Sequence, residues 1–425
     1  MILARTGRPP VVAFFAATAL AIGLTVGFGL GLWLLLARVW GVTLFGASWL
    51  ALVQVHGVLQ LFGFAGFFAM GIALHALPRF RGAGPPPVQL VWITYVTTLA
   101  GLAIRSAAQP IPDLPARGSL LLAGDGLLVI GTLAFSAAAL RSLVAGRNPH
   151  RPDELVIGAG IALFPVAAVL VALEAIGSAP LIVDQASDDR ALWTMLLGAI
   201  GTLIFGAWAR LAPGFVAALP ARPRPLLIGV GLWLSGVGSL TAESAAGPWL
   251  LLAGLLTTTY ALSVFGPGIA RQPLQDHARL TRIGVRSAFA WAFVGIGILA
   301  AGTLGLAGSY LQISAGRHAL ALGFVTLMIY SVGARALPAF LSRSLWSPRL
   351  QAATLLIANL GVVLRVFPQL LEGASLDTVI GLSGIFSYTG LLLFTVNVVR
   401  TLRAPSTPAA VPGAPVRLDL RLGRP

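Results

Sequence analysis

Along the chain, apolar stretches of about 20 residues, the length of helix that crosses a bilayer core, alternate with short segments that gather Arg, Pro and Asp. The first six fall at roughly 12–36, 49–77, 87–108, 119–143, 155–175 and 191–212. Six more fall at roughly 224–242, 247–270, 284–306, 317–337, 350–368 and 378–401. An unpaired strand cannot satisfy its backbone in lipid, so all twelve are predicted to be helices. No small-residue cleavage site follows the first run, which therefore reads as a span and not as a signal peptide.

Composition agrees with that pattern. Of 425 residues, 57% are hydrophobic and only 10% are charged, too few to cover a water-soluble domain of this size. The expected class is an all-α polytopic membrane protein whose surroundings are the lipid bilayer. The absence of cysteine excludes disulfides, thiolate metal sites and iron–sulfur clusters. Every basic residue is Arg, which reads as the coding bias of a GC-rich genome, so the net charge of +15 does not predict a nucleic-acid partner.

The arginines orient the chain. The termini and the loops after spans 2, 4, 6, 8 and 10 hold most of them, including Arg79, Arg81, Arg147, Arg151, Arg222, Arg224, Arg279, Arg282, Arg343 and Arg349. Only Arg38, Arg105, Arg117, Arg190, Arg317 and Arg365 fall on the other side. The positive-inside rule then predicts both termini in the cytoplasm. Residues 404–425, rich in Pro and Arg, are expected to form a disordered cytoplasmic tail.

Spans 2, 6 and 10 share a motif: GFAGFFAMGIALHALPRF from Gly63, GAIGTLIFGAWARLAPGF from Gly198 and GFVTLMIYSVGARALPAF from Gly323. In each, a base (His75, Arg210, Arg335) lies twelve residues after the glycine, a proline fifteen after and a phenylalanine seventeen after. Spans 4, 8 and 12 also end in Arg, at Arg141, Arg271 and Arg400. Three copies with one spacing, four helices apart, predict a single transmembrane domain (1–403) of three four-helix pseudo-repeats, about 10–145, 150–273 and 280–403.

Twelve helices in three such units, with histidines towards the outer ends of spans 2 and 10, resemble the catalytic subunit of haem-copper oxidases. A closer local match is the NnrS family, whose second-helix pattern is similar to His56, Phe62-Gly63-Phe64, Gly71 and Pro78 here. In span 10, RHALALGF (317–324) is similar to the family's later H-A-L-x-x-G segment. The resemblance implies a bacterial inner-membrane protein of the nitric oxide response or denitrification, in a family reported to bind haem and copper. By the oxidase resemblance, His56 and His318 would be the two axial ligands of one b-type haem. The departures bear on copper: Val58 replaces the second histidine of the pattern, Ala191 and Trp193 stand at the corresponding positions of span 6, and span 7 has no histidine pair. A copper oxidase centre does not assemble from these residues, which argues against oxygen reduction.

The other polar residues are placed by depth. His56 lies about 10 Å below the outer edge of its helix, and His75 about 28 Å further along, at ~1.5 Å per residue. His75 is thus outside any ligand sphere of His56 and is expected at the cytoplasmic interface, while His150 and His277 are expected in solvated loops. Ionisable groups inside spans are functional candidates by default. Arg105, Arg317 and Arg365 are candidate partners for haem propionates, since the guanidinium fork suits carboxylates. Asp125 would orient one of them or a histidine ring, or simply pair with an arginine; Glu174 shares their depth. Gln60 lies on nearly the same helix face as His56 and is a candidate contact for a bound group. Tyr330, Met195 and Met328 read as packing, and the many glycines as close helix contacts. No Walker loop, dinucleotide fingerprint or HExxH occurs. Two other readings remain: a multi-pass transporter or permease without a cofactor, and a structural subunit of a respiratory complex.

Overall fold

The computed structural model describes residues 11–41, 48–176, 181–268, 274–371 and 376–404. The expected tail from 405 onward and Arg271 lie outside the described residues. Among those described, twelve helices and no strand form. They are α1 (Val11–Trp40), α2 (Trp49–Arg81), α3 (Val88–Ala108), α4 (Arg117–Val144), α5 (Pro152–Ala175) and α6 (Gln185–Val216). Then come α7 (Pro223–Thr241), α8 (Ala246–Ala261), α9 (Asp276–Thr303), α10 (Tyr310–Phe340), α11 (Pro348–Leu371) and α12 (Asp377–Arg403).

Ten of the twelve are long and apolar enough to cross a membrane; α7 and α8 fall short. Helix α8 has 16 residues, roughly 24 Å at ~1.5 Å per residue, and ends before the expected 270. The chain turns there through Ser263, whose φ is +50°. Helix α7 opens on Pro223-Arg224-Pro225, which dilutes its apolar run.

Several helices outrun their apolar stretches because polar residues cap them. The Asp184 carboxylate accepts the Ser187 N–H at 3.0 Å and starts α6 well ahead of residue 191. Ser309 and Gln312 form a reciprocal capping box that starts α10 ahead of 317. Apolar side chains such as Leu122, Ile130, Leu133, Ile228 and Leu356 remain exposed on the outside of the bundle, as a lipid-facing surface requires.

Helices α2, α6 and α10 are the most enclosed, with 78%, 78% and 72% of their central windows buried. The other nine surround them, and α12 returns to pack on α1. The three inner helices share a backbone feature. Each contains a π-helical segment: Leu59–Gly66 in α2, Thr194–Gly201 in α6 and Ala319–Thr326 in α10. Each segment starts four residues before the motif glycine (Gly63, Gly198, Gly323) and ends three after it. The π-segments of α2 and α6 touch, as do those of α6 and α10. Such turns shift a helix's hydrogen bonds by one residue and expose carbonyls to other donors. In α6 the Leu197 carbonyl accepts the indole N–H of Trp233 from α7 at 2.9 Å.

The bases of the motif meet at the arginine-rich end of the same three helices. His75 lies against Phe340, with ring centroids 5.0 Å apart. The Arg210 guanidinium sits 5.1 Å from the centre of the Phe80 ring, and that of Arg335 sits 5.8 Å from Phe215. Each base therefore packs on the phenylalanine of another copy, and the three contacts close a ring joining α2, α10 and α6. His75 is buried in this ring, against a phenylalanine that the sequence places far away.

Candidate cofactor site

At the opposite end of α2 and α10 the bundle holds a partly open cavity of about 240 Å³. Its apolar wall includes Phe28, Leu61, Phe62, Phe64, Leu196 and Leu322, and its polar wall includes His56, Gln60, Arg317, His318, Arg365 and Gln369. Five of the seven residues singled out from the sequence thus line one space.

His56 reaches it because α1 makes room. Helix α1 carries its own π-segment, Gly23–Gly27, and the carbonyl of Gly27 lies 3.0 Å from His56 Nδ1. A carbonyl oxygen only accepts, so Nδ1 carries the proton and Nε2 keeps its lone pair. One turn on, a Cβ at Gly31 would stand 2.6 Å from His56 Cε1, closer than real Cβ atoms come, so glycine is what admits the ring. His318 is fixed the same way. Its Nδ1 donates to the carbonyl of Ser314, one turn back on α10, at 2.7 Å. Its Nε2 accepts from Arg365 Nη2 at 3.2 Å. Both imidazoles are therefore held as the Nδ1–H tautomer by backbone carbonyls, the arrangement that orients a ligating histidine.

The arginines differ. Arg317 is committed to Asp189, at the start of α6, and lies over the Trp193 ring at 5.7 Å. Among the described residues Arg365 hydrogen-bonds only to His318: its Nε and Nη1 are buried without a partner there. Gln369, one turn further along α11, leaves its Oε1 unpartnered as well.

Arg105 and Asp125 stand apart from the cavity wall. Arg105 is 3% exposed and held by Asp125 Oδ2 and Glu174 Oε2, each at 2.6 Å. These three residues tie α3, α4 and α5 together, and Glu174 alone among them lines the cavity. Gln54, beside His56, clamps a connection: it donates to the Val183 carbonyl at 2.8 Å and accepts the Val183 N–H at 3.0 Å. Tyr330 packs on Phe394, with ring centroids 4.7 Å apart. The sequence reading passed over Gln369 and Asp188, which also line the cavity. Gln369 carried a signal, four residues after Arg365 on one helix face; Asp188 looked like part of a loop.

A family model described as "NnrS protein" matches residues 11–406, nearly the whole length. The chain belongs to the NnrS family. Comparison with curated proteins finds no match. Within this NnrS protein's described residues, no three His, Asp or Glu side chains gather as a bare metal ion would need. A porphyrin iron needs less from the protein, because four of its ligands come from the ring and two imidazoles complete it. The residues present fit that demand: two oriented imidazoles on different helices share one cavity, largely apolar, with unpartnered guanidinium nitrogens beside them.

Proposed function

We propose that this NnrS-family membrane protein holds one b-type haem at the His56 end of the bundle, with His56 and His318 as axial ligands and Arg365 and Arg317 facing its carboxylates. The observation that carries the reading is the pair of imidazoles from α2 and α10, each with Nδ1 on a backbone carbonyl, both lining the same cavity. Gln60 and the apolar wall would contact the ring, while Arg105 and Asp125 would brace the wall from behind through Glu174. Bound there, haem would supply one-electron transfer or, at a labile axial position, binding of a diatomic ligand. The family resemblance supports a role for that chemistry in the nitric oxide response or denitrification, with nitric oxide or a redox protein as the partner. The permease reading is weaker, because the ionisable groups gather towards the two ends of the bundle and not at its middle.

The same reading takes 10–145, 150–273 and 280–403 as three copies of one four-helix unit. The matched π-segments and the closed ring of base–phenylalanine contacts support it, as does the motif spacing. The test of the haem reading is extraction and quantification of haem and metals from the purified protein. One b-type haem per chain is expected; well-folded, colourless, metal-free protein that takes up no added haem overturns it.

A further inference from the structure

Arg365 occupies an unusual position. His318 Nδ1 gives its proton to the Ser314 carbonyl, so Nε2 is the nitrogen left to bind iron. That nitrogen is taken, at 3.2 Å, by a donor from Arg365. A metal cannot approach Nε2 while Nη2 points at it. Yet Arg365 has two further nitrogens, Nε and Nη1, buried without partners among the described residues at the edge of the same cavity. A half-satisfied buried guanidinium is costly, and a carboxylate on either edge of its fork, Nε with Nη2 or Nη1 with Nη2, would satisfy a free nitrogen and engage Nη2, the nitrogen now on His318.

Resting on the haem reading above, we propose that Arg365 caps His318 and is drawn off it by a carboxylate of the incoming ligand. Ligation by His318 and carboxylate capture by Arg365 are then one exchange: the N–H···N contact is given up and a charge-assisted fork to the carboxylate is gained. The ligand class is an iron tetrapyrrole that carries free carboxylates on its edge. A tetrapyrrole without them must uncover His318 and leave Arg365 stranded.

The test uses haemin and its dimethyl ester, titrated into full-length protein produced without haem, with absorption as the readout. Wild type is expected to prefer haemin by about tenfold or more, the scale of a charge-assisted fork. Arg365→Met keeps the stem and removes the donors. It is expected to lose that preference and to bind the ester roughly fivefold more tightly than wild type does, because about one hydrogen bond no longer covers Nε2. Simple attraction between Arg365 and a carboxylate would leave ester binding unchanged on substitution, and that result overturns the exchange. An unaltered preference in the variant overturns it too. If Arg365→Met does not fold, Arg365→Lys keeps the charge without the fork and is expected to show a preference between one and the wild-type value; a wild-type preference or none overturns the proposal. Wild-type protein that binds neither compound refutes the haem reading itself, and the exchange with it.

Discussion

Gly31→Ala isolates the orientation of His56 without touching its chemistry. The added Cβ would stand 2.6 Å from Cε1 and 3.2 Å from both ring nitrogens, where ordinary contact begins at 3.4 Å. The ring must retreat by roughly 0.8 Å, the kind of overpacking that costs about 1–3 kcal/mol. Gly27 and Gly31 lie one turn apart on α1, so such a retreat stretches the 3.0 Å contact from Nδ1 to the Gly27 carbonyl, and losing it costs about a further 1 kcal/mol. Because that contact fixes the tautomer, haem affinity should fall by about 10–100-fold, the usual effect of disturbing the partner of a ligating histidine. The assay is a haemin titration followed by absorption, with thermal unfolding in detergent as the fold check. Gly297→Ala is the control: it adds the same methyl on α9, away from the cavity wall, where nothing lies within 4 Å. Wild-type affinity in Gly31→Ala, or an equal loss in Gly297→Ala, would refute the reasoning.

Three further outcomes follow from the packing. Asp125→Ala strips one carboxylate from buried Arg105 and should lower stability by about 3 kcal/mol, read as a lower melting temperature; an unchanged melt would show the triad to be idle. His75→Ala removes a ring contact worth about 0.5–1.5 kcal/mol and should lower the melting temperature while leaving any haem spectrum as in wild type, since it lies at the other end of α2. Trp233→Phe strands the Leu197 carbonyl of the α6 π-segment and should cost about 1–2 kcal/mol in the same melting assay, whereas Trp249→Phe, whose partner Thr303 is exposed, should cost less.

The helices were legible in the sequence because a lipid core imposes a length and a polarity on each run that few other pressures mimic. Their ends were not, since the caps at Asp184 and Ser309 are polar and read as loop. The shared motif of α2, α6 and α10 could be read as spacing, but two consequences could not. Which phenylalanine each base meets depends on how the copies sit around one another. Whether a helix widens into a π-segment depends on its neighbours, as with Trp233 at the Leu197 carbonyl. At the site, the family resemblance singled out His56 and His318, and depth singled out Arg317 and Arg365. Depth also singled out Arg105 and Asp125, because a structural ion triad and a ligand-binding arginine look alike along one chain. Asp125 and Glu174 pair both terminal nitrogens of Arg105, while Arg365 meets no carboxylate among the described residues, and only geometry between helices separates the two cases.

The central claim is that α2 and α10 together supply the two ligands of one haem. The most direct measurement is the oxidised and dithionite-reduced absorption spectrum of purified protein, for wild type beside His56→Ala, His318→Ala and His75→Ala. The account predicts a six-coordinate, b-type spectrum in wild type and in His75→Ala, and its loss or conversion to a five-coordinate form in each of the other two. A spectrum unchanged by either His56→Ala or His318→Ala, in protein that is folded and carries its haem, would contradict it.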